Sequence, residues 1–359
     1  MIKNVAIVGC GNISEIYLTN LTNVFENVKV YSVCDLDKNK AQEKSDKYSV
    51  KVMTLDEILN DDIVDIVLNI TTPFQHFDIC KKSIKAKKNV YTEKPLSLTY
   101  EEGAELVRSA EKNNVLLGCA PDTFMGAGIH TARKIIDDRL IGEIIGASAF
   151  MVCPGHESWH PSPEFYYKNG GGPLFDMGPY YLTALVNLIG PVNSVSGMAN
   201  CIRNQRVITS KPKKGQIIDV EVETHVNALL KFKNGAIGNI IMSFDVYGSH
   251  LPRIEIYGTK GSLIVPDPNN FGGEVLLKQK LDKEFHTCPL INRFSENSRG
   301  LGISDMAYCL INNSSENCAN GKLALHVLEI MEKIMESNST HKEMKLISSC
   351  KRPEISPVI

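Results

Sequence analysis

The sequence predicts an α/β protein in which a doubly wound parallel sheet is followed by an α+β domain with an open, mostly antiparallel sheet. Over the first 120 residues, short apolar runs alternate with segments of helical length and periodicity. From about residue 193 to 280, apolar and polar residues instead alternate with a period of two, which indicates strands with one polar face. The length of 359 residues suits two domains of roughly 100–200 residues each.

The first domain is predicted to span residues 1–123 and to contain five parallel strands. Near-continuous apolar runs are typical of strands that helices cover on both faces. Two helices begin with a capping box, in which a threonine is followed three residues later by a glutamate: Thr54…Glu57 and Thr99…Glu102. The predicted strands are Val5–Val8, Val28–Cys34, Val64–Ile70, Asn89–Thr92 and Val115–Cys119.

The second domain is predicted to span residues 124–338, followed by a polar C-terminal tail over 339–359. Its clearest feature is a β-hairpin, in which Asn234-Gly235 forms the turn between two alternating segments. Because a sheet with helices on one face leaves the other face needing cover, we expect a homo-oligomer, either a dimer or a tetramer. The predicted helices lie over 127–140, 178–189 and 323–335, and the predicted strands over 144–153, 222–232, 236–244, 253–257 and 262–265.

The composition excludes several classes of protein. Thirty-nine Lys and Arg against 41 Asp and Glu give a net charge of −2, which argues against general affinity for nucleic acid or an anionic membrane. No apolar run reaches the ~18 residues of a membrane span, and the N-terminus lacks a signal-peptide core. We therefore expect a cytoplasmic protein. The ten cysteines include no C-x-x-C pair and are expected to be reduced thiols.

A glycine motif follows the first predicted strand directly. The segment Gly9-Cys-Gly11-Asn12-Ile13-Ser14 is G-x-G-x-x-G with Ser at the last position. In a dinucleotide-binding (Rossmann) domain, the first glycine permits a tight turn, and the second lets a pyrophosphate approach the helix N-terminus. The alternative is that these glycines only turn the chain from strand to helix.

An acidic residue strengthens the dinucleotide interpretation. Asp35 ends the second strand 24 residues after Gly11, where a carboxylate can bind the two ribose hydroxyls. A carboxylate there repels a 2′-phosphate, so we expect NAD in preference to NADP, with Leu36 as a further cofactor contact. Lys38 and Lys40 keep some use of NADP open. The alternative of a helix cap for Asp35 is weaker, because Asp37 already suits that role.

Two further motifs follow the fourth and fifth strands. Carboxyl ends of strands in a doubly wound sheet point into the ligand crevice. Lys94, held next to a proline, is well placed there to contact a substrate oxygen. The candidate cofactor contacts in the two motifs Thr71-Thr-Pro73-Phe-Gln-His76 and Glu93-Lys94-Pro95 are Thr71, Pro73, His76, Glu93 and Lys94.

The chain resembles the glucose-fructose oxidoreductase / inositol dehydrogenase / rhizopine-catabolism (GFO/IDH/MocA) family of NAD(P)-dependent sugar dehydrogenases. The resemblance extends from residue 9 to about 265. It implies a nucleotide domain, a second domain with an open sheet, and hydride exchange between nicotinamide and a sugar or polyol carbon. Lys94 and Asp176 match the family's functional residues. The matching segments are GCGNIS, TTP…H, EKP, GGGPLFDMGPYY and IEIYGTKGSL.

The chain departs from the family pattern at Tyr180, where the family has a histidine four residues after the aspartate. On a helix, Asp176 and Tyr180 would still share one face. A phenol has an ordinary pKa near ~10 and acts as a base only if a cation such as Lys94 lowers it. The catalytic residues are thus predicted to be Lys94, Asp176 and Tyr180. The alternatives are an N-cap role for Asp176 and a packing role for Tyr180.

A second departure lies at residues 120–124, where Ala-Pro-Asp-Thr-Phe replaces the family's frequent Asn-Arg-Arg-Phe. The loss of two cations makes an anionic substrate a weaker expectation. Asp122 in this segment is a candidate substrate contact.

The segment from His156 to His160 spells H-E-x-x-H, the zinc-protease signature. The motif requires a helix, but prolines flank this segment on both sides, so we expect no metal. The aromatic loop around it instead provides candidate sugar contacts, with rings for C–H faces and imidazoles for hydroxyls. The alternative is an ordered polar loop with its rings packed inside. The candidate substrate residues, besides Lys94, Asp122, Asp176 and Tyr180, are His156, Trp159, His160, Tyr166 and Tyr167.

The leading hypothesis is therefore an NAD(H)-dependent oxidoreductase that acts on a secondary alcohol or carbonyl of a neutral sugar, polyol or derivative. One alternative is redox-assisted cleavage of a glycoside with bound NAD. A second, of a different class, is a non-catalytic sensor that binds nucleotide and regulates a partner protein.

Overall fold

Parallel strands form the first sheet of the protein, whose computed structural model describes all 359 residues. The strands are β1 (Lys3–Val8), β2 (Val28–Cys34), β3 (Lys51–Val52), β4 (Ile66–Asn69), β5 (Asn89–Thr92) and β6 (Leu117–Cys119). The helices between them are α1 (Ser14–Asn23), α2 (Lys38–Tyr48), α3 (Leu55–Asn60), α4 (Pro73–Lys85) and α5 (Tyr100–Asn113).

The order of this sheet is β3-β2-β1-β4-β5-β6, with every neighbouring pair parallel. The predicted doubly wound sheet is thus confirmed, and the short, exposed β3 is an addition to it. From β1 the chain winds outward in one direction and from β4 in the other. The carboxyl ends of β1 and β4 therefore open a crevice at the edge where the glycine loop lies.

The chain continues into α6 (Ala127–Asp137), β7 (Ile144–Val152), α7 (Gly172–Ile189) and β8 (Val192–Asn200). Eight more strands follow: β9 (Gln205–Val207), β10 (Ile217–Asp219), β11 (His225–Phe232), β12 (Ile237–Ser243), β13 (Ile254–Gly258), β14 (Gly261–Val265), β15 (Val275–Gln279) and β16 (His286–Cys288). The last elements are α8 (Leu301–Ile311), α9 (Gly321–Thr340) and β17 (Met344–Lys345). Short 3-10 helices lie at Thr123–Met125 and Pro163–Tyr167. No helix combines the length and apolarity that a membrane span requires.

The second sheet has nine strands in the order β16-β15-β14-β13-β7-β12-β11-β8-β17. Only β7 and β12 pair in parallel, so the predicted open, mostly antiparallel sheet is confirmed. The predicted hairpin is β11–β12, and Gly235 in its turn has a φ of +93°. Along β11 every second residue is buried, as its period-two pattern predicts.

Helix α7 begins at Gly172, six residues before the predicted start at 178. Pro173 stands in its first turn, where a missing N–H costs no hydrogen bond. Pro179 lies inside the helix, although proline usually ends or kinks a helix. The turns from Gly178 to Ile189 are mostly apolar and completely buried, as expected for a core helix.

The chain divides into two compact units whose boundaries differ from the prediction. The first unit comprises Met1–Gly126, Asn292–Leu328 and Pro353–Ile359, and the second comprises Ala127–Ile291 and Glu329–Arg352. Residues 339–359 are not a free tail. Within the second unit β17 pairs with β8, and Arg352 donates to Asn187 O at 2.7 Å. Within the first unit Ser356 donates to Asp305.

Candidate functional site

The glycine loop after β1 is shaped by the ends of β2 and β4. Gly9 has a φ of +107°, and a Cβ at this position would lie 2.7 Å from Ile70 O. Its N–H donates to Cys34 O at 2.8 Å. At Gly11, by contrast, an added Cβ would meet no protein atom within 4 Å. The space in front of Gly11 is therefore open, as the approach of a pyrophosphate requires.

Helix α1 starts with an uncovered N-terminus. Gly11, Asn12 and Ile13 are exposed, and the N-cap residue Ile13 provides no capping side chain. Ser14, which replaces the third glycine of the motif, is fully buried, and its Oγ donates to Gly11 O at 2.6 Å. The positive end of the helix dipole is thus available for a phosphate.

Asp35 connects the glycine loop to the end of β2. Its Oδ2 accepts a hydrogen bond from Cys10 N at 2.7 Å, and its Oδ1 accepts one from Asp37 N at 2.8 Å. Asp37 itself caps α2 by accepting from Asn39 N, so the helix-cap alternative for Asp35 is wrong. Leu36 is fully exposed next to it. The half-exposed carboxylate, the open loop and the uncapped helix together fit a dinucleotide, with Asp35 as the predicted partner of its ribose.

The carboxyl ends of β4 and β5 hold the remaining predicted cofactor residues: Thr71, Pro73, His76, Glu93 and Lys94. His76 is fully buried, with Nδ1 2.6 Å from Pro95 O and Nε2 3.2 Å from Thr71 O. Burial lowers the pKa of His76. Because backbone carbonyls contact both ring nitrogens, the side chain of His76 has no polar atom left for the cofactor. The prediction that it binds the cofactor directly is therefore wrong. The side chain instead holds the two strand ends together.

Lys94 is half-buried directly after β5. Glu93 secures its turn: Oε2 accepts from Lys94 N at 3.0 Å, and Oε1 accepts from Tyr17 OH at 2.7 Å. Tyr17 lies fully buried in α1, the helix that follows the glycine loop. The lysine turn and the nucleotide loop are therefore fixed to each other.

Asp122 has a structural role in place of its predicted substrate contact. It is 1% exposed, and its Oδ2 accepts from Gly300 N at 2.9 Å and from Gly302 N at 3.0 Å, which caps the start of α8. Burial raises the pKa of Asp122 to about 6. A carboxylate enclosed in this way offers no surface to a sugar, so the prediction is wrong.

In the second unit, Asp176 and Tyr180 lie one turn apart on α7. The N-cap of this helix is Gly171, so the N-cap alternative for Asp176 is wrong. Asp176 is half-buried and Tyr180 is buried. Their spacing of four residues places both side chains on the predicted common face.

His156 approaches Asp176 from the loop that follows β7. Its Nε2 lies 4.0 Å from Asp176 Oδ2, and the residue is 8% exposed. Neither ring nitrogen has a hydrogen-bond partner. The ring packs against Tyr166 and Phe244, at 4.0 and 4.6 Å between centroids. Burial lowers the pKa of His156 more than Asp176 and Glu157 raise it, so the imidazole is neutral near pH 7.

Four of the loop residues predicted to contact substrate form one aromatic cluster: His156, Trp159, His160 and Tyr166. The fifth, Tyr167, is fully buried and donates to Glu157, so its predicted substrate contact is wrong. Trp159 is 62% exposed and presents its indole to solvent. His160 is half-buried, and its Nδ1 accepts from Ser162 N at 3.0 Å. An exposed indole beside imidazole rings suits the apolar faces and the hydroxyls of a sugar.

Arg206 holds the loop over residues 154–160 in place. The sequence does not indicate this role. Its guanidinium is 2% exposed and donates to Glu157 Oε1 at 2.8 Å, to Pro154 O at 3.1 Å and to Phe244 O at 3.0 Å. It also pairs with Asp245. These partners are 38 to 52 residues away in the chain, and no local motif surrounds Arg206 on the short strand β9.

The H-E-x-x-H segment does not form a zinc-binding helix. The N–H groups of Trp159 and His160 both donate to His156 O, at 3.3 and 3.0 Å, which closes a single turn. Glu157 bonds Arg206 through one oxygen and Tyr167 OH, at 2.7 Å, through the other. No three His, Cys, Asp or Glu residues are grouped to hold a metal ion.

Two family descriptions match this chain. "Oxidoreductase family, NAD-binding Rossmann fold" matches residues 3–120, and "GFO/IDH/MocA C-terminal domain" matches residues 129–264. The first match covers the glycine loop, Asp35 and Lys94, and the second covers His156 and Asp176. The predicted NAD-binding domain is thereby confirmed.

Curated relatives and a solved structure agree with these matches. The chain is 24% identical over 262 residues to myo-inositol 2-dehydrogenase of Thermotoga maritima, covering 72% of this chain and 74% of the relative. It is 25% identical over 263 residues to scyllo-inositol 2-dehydrogenase (NAD(+)) of Bacillus subtilis, covering 72% of each. The structure of a levoglucosan dehydrogenase with NADH superimposes with a TM-score of 0.83 at 18% identity, covering 97% of this chain and all of the other, and shows the common fold.

Proposed function

Because the chain belongs to the GFO/IDH/MocA family of NAD-binding oxidoreductases, we propose that it is an NAD(H)-dependent dehydrogenase of a neutral sugar, polyol or sugar derivative. The observation that carries this proposal is the aromatic loop with its neutral imidazole beside Asp176, in a chain whose other unit binds NAD. The two inositol dehydrogenases among the relatives are named for neutral polyols, which supports the substrate class.

The first unit supplies the cofactor site and the cation. Bound nicotinamide provides the acceptor for the hydride that leaves the alcohol carbon. Lys94 orients the reacting hydroxyl, and its charge favours loss of the hydroxyl proton. Glu93 and His76 keep the lysine turn in place through their bonds to Lys94 N and Pro95 O.

The second unit supplies the substrate contacts and the groups that handle the proton. Trp159 and Tyr166 offer ring surface to the C–H faces of a sugar, while His160 offers a polar edge to hydroxyls. Asp176 and Tyr180 follow the spacing of the family's functional pair, with a phenol in place of an imidazole. The substrate proton then has three candidate acceptors: Tyr180, His156 and His160.

A screen of neutral sugars and polyols with NAD, followed by NADH absorbance, tests the proposal. We expect turnover with at least one of them, and a higher kcat/KM with NAD than with NADP because of Asp35. Two results would contradict a dehydrogenase. Glycoside cleavage without net NADH formation, by tightly held cofactor, would indicate redox-assisted hydrolysis. NADH binding without any turnover would indicate a sensor.

We also propose that a second copy of this chain covers the outer face of the nine-stranded sheet. Exposed apolar side chains lie on its neighbouring strands β8, β11 and β12: Met198, Leu229 and Ile237. Monomeric proteins rarely leave such side chains together on a sheet surface. Light scattering should show a dimer or larger oligomer, and Leu229→Lys should weaken it. A monomer at assay concentration would refute the interface.

A further inference from the structure

The loop before α7 places a titratable group, the imidazole of His156, 4.0 Å from Asp176. We propose, resting on the dehydrogenase function proposed for this chain, that His156 accepts the proton of the substrate hydroxyl and that Asp176 stabilises the imidazolium that forms. The proton acceptor would then come from the loop over residues 154–160, and position 180 of α7 would not need a histidine.

The first support is the unsatisfied state of the His156 ring. The residue is 8% exposed, yet neither Nδ1 nor Nε2 has a hydrogen-bond partner. Buried polar groups are paired in the great majority of cases, so two unpaired nitrogens on one ring need an explanation. A substrate hydroxyl that donates to one nitrogen provides it. The distance of 4.0 Å from Nε2 to Asp176 Oδ2 is too long for a hydrogen bond but close enough for strong attraction once the ring is charged.

The step balances without any further reactant. In the direction of alcohol oxidation, the O–H bond breaks and its proton binds a ring nitrogen of His156. The electron pair of that bond becomes the second carbon–oxygen bond of the carbonyl. The carbon-bound hydrogen leaves with its electron pair to the oxidised nicotinamide. His156 gains one positive charge, which the carboxylate of Asp176 offsets.

The second support is a comparison with Tyr180. A neutral imidazole carries a lone pair at pH 7, whereas a phenol with an ordinary pKa near ~10 must first lose its own proton. Asp176 is the only charged side chain of α7. A neighbouring carboxylate disfavours the charged form of a phenol. The same carboxylate favours an imidazolium. The charge at position 176 thus suits a histidine acceptor and opposes a tyrosine acceptor.

The third support is the fixed position of the loop. His156 N donates to Tyr167 OH at 3.2 Å, and Tyr167 OH donates to Glu157, which is paired with buried Arg206. The ring is held between Tyr166 and Phe244. Such immobilisation is what a proton acceptor needs to keep hydrogen-bond distance to its substrate. Arg206 is accordingly a positioning residue.

The titratable and charged groups around His156 set the expected pH dependence: Asp176 on α7, Glu157 and His160 in the loop, and Arg206 on β9. Burial lowers the pKa of His156 most, Asp176 and Glu157 raise it, and His160 and Arg206 lower it further. Oxidation requires neutral His156, so kcat/KM should fall with acidification at a pH below the ordinary histidine pKa of ~6.5. Asp176→Asn should move this fall to still lower pH, because it removes the anion that favours the imidazolium.

The decisive comparison is His156→Gln against Tyr180→Phe. We expect His156→Gln to lower kcat by roughly 10²–10⁴-fold, the usual scale for general acid–base catalysis, and to remove the acidic fall of the pH profile. Tyr180→Phe should lower kcat by less than about tenfold and keep that fall. A matched control is His286→Gln, since His286 also faces a carboxylate, Asp282, at 3.5 Å, but is exposed at the far edge strand β16. It should leave kcat unchanged.

Imidazole rescue distinguishes loss of the proton acceptor from a structural defect at position 156. The smaller His156→Ala variant should regain activity when free imidazole is added, in proportion to its neutral form. The proposal is overturned if His156→Gln, folded by circular dichroism, keeps kcat within about fivefold and retains the acidic fall. It is also overturned if Tyr180→Phe alone abolishes turnover. Failure of the dehydrogenase function itself would appear differently, as wild-type protein that binds NADH yet oxidises no sugar or polyol.

Discussion

The nucleotide site and the His156 site are built in different ways. The first consists mainly of backbone: the loop from Gly9 to Ser14, the N-terminus of α1 and the ends of neighbouring parallel strands. The second consists of side chains from a loop, a helix and a short strand that long stretches of sequence separate. A backbone site depends on a few glycines, whereas a side-chain site depends on each residue. Single substitutions should therefore separate cofactor affinity from catalysis and stability.

Lys94→Ala should have the largest effect, because the proposed function assigns the substrate hydroxyl to this one side chain of the first unit. We expect kcat to fall by at least roughly 10³-fold, since the variant loses both the contact to the hydroxyl and the cation that favours its ionisation. The dissociation constant of NADH, measured by fluorescence, should change far less than kcat.

Lys81→Ala is the control for this change. Lys81 lies on α4 of the same unit and forms an exposed ion pair with Glu105, so its loss should leave kcat and NADH affinity unchanged. Equal losses of NADH affinity and kcat in Lys94→Ala would show that the lysine serves the cofactor and not the substrate.

Arg206→Gln should have the largest effect on stability. Removal of this buried cation leaves Glu157 and Asp245 without their partner, and breaking a buried pair typically costs about 3–5 kcal/mol. Urea unfolding followed by tryptophan fluorescence measures this loss of stability. Trp159, the only tryptophan, lies in the loop that Arg206 holds in place.

The matched control is Lys134→Gln, which removes the exposed pair between Lys134 of α6 and Asp138, in the same unit. Its free energy of unfolding should change by less than about 0.5 kcal/mol. A similar small change in Arg206→Gln would mean that the loop keeps its position without the guanidinium, and the positioning role would be refuted.

The same contrast explains which features the sequence predicts. The strands, the β11–β12 hairpin and the nucleotide loop follow from short-range patterns, because strand periodicity, turn residues and glycine spacing lie within a few residues of each other. Arg206 could not be identified, since its partners come from residues 154–157 and 244–245. Asp122 and His76 were given ligand contacts because position at a strand end does not reveal burial.

The structure of the C-terminal region also does not follow from local sequence patterns. Residues 339–359 are polar and lack a clear period, yet Glu329 accepts hydrogen bonds from Ile347 N and Ser348 N at 2.7 Å. A buried carboxylate 18 residues upstream thus fixes a segment that composition alone suggests is free. Only the three-dimensional contact provides the energy that orders it.

Asp122→Asn tests whether the carboxylate of Asp122 has a structural role or binds a ligand. Burial raises the folded-state pKa of Asp122 from its ordinary 3.8 to about 6, so the folded protein binds more protons than the unfolded chain between those values. This contribution to stability is complete below about pH 4 and is lost as the pH rises through about 6. An amide remains uncharged throughout, and its oxygen can still accept from Gly300 N and Gly302 N.

The unfolding free energy of Asp122→Asn, taken relative to that of wild type, should rise by about 1–3 kcal/mol between pH 4 and pH 7. Urea titrations at several pH values measure it, and KM for the sugar should stay constant. A raised KM with no pH-dependent shift would restore the predicted substrate contact.

Gly11→Ala should have the smallest effect and tests the backbone site itself. The φ of Gly11 lies outside the left-handed region, and a Cβ there would meet no protein atom within 4 Å, so the melting temperature should not change. The methyl group would instead occupy the space through which a pyrophosphate approaches, and we expect the Kd of NADH to rise roughly tenfold, or about 1.4 kcal/mol. Gly9→Ala is the contrasting variant, because its Cβ would lie 2.7 Å from Ile70 O at a φ of +107° and should destabilise the fold. If Gly11→Ala instead lowers stability and leaves NADH affinity intact, the loop serves only to turn the chain.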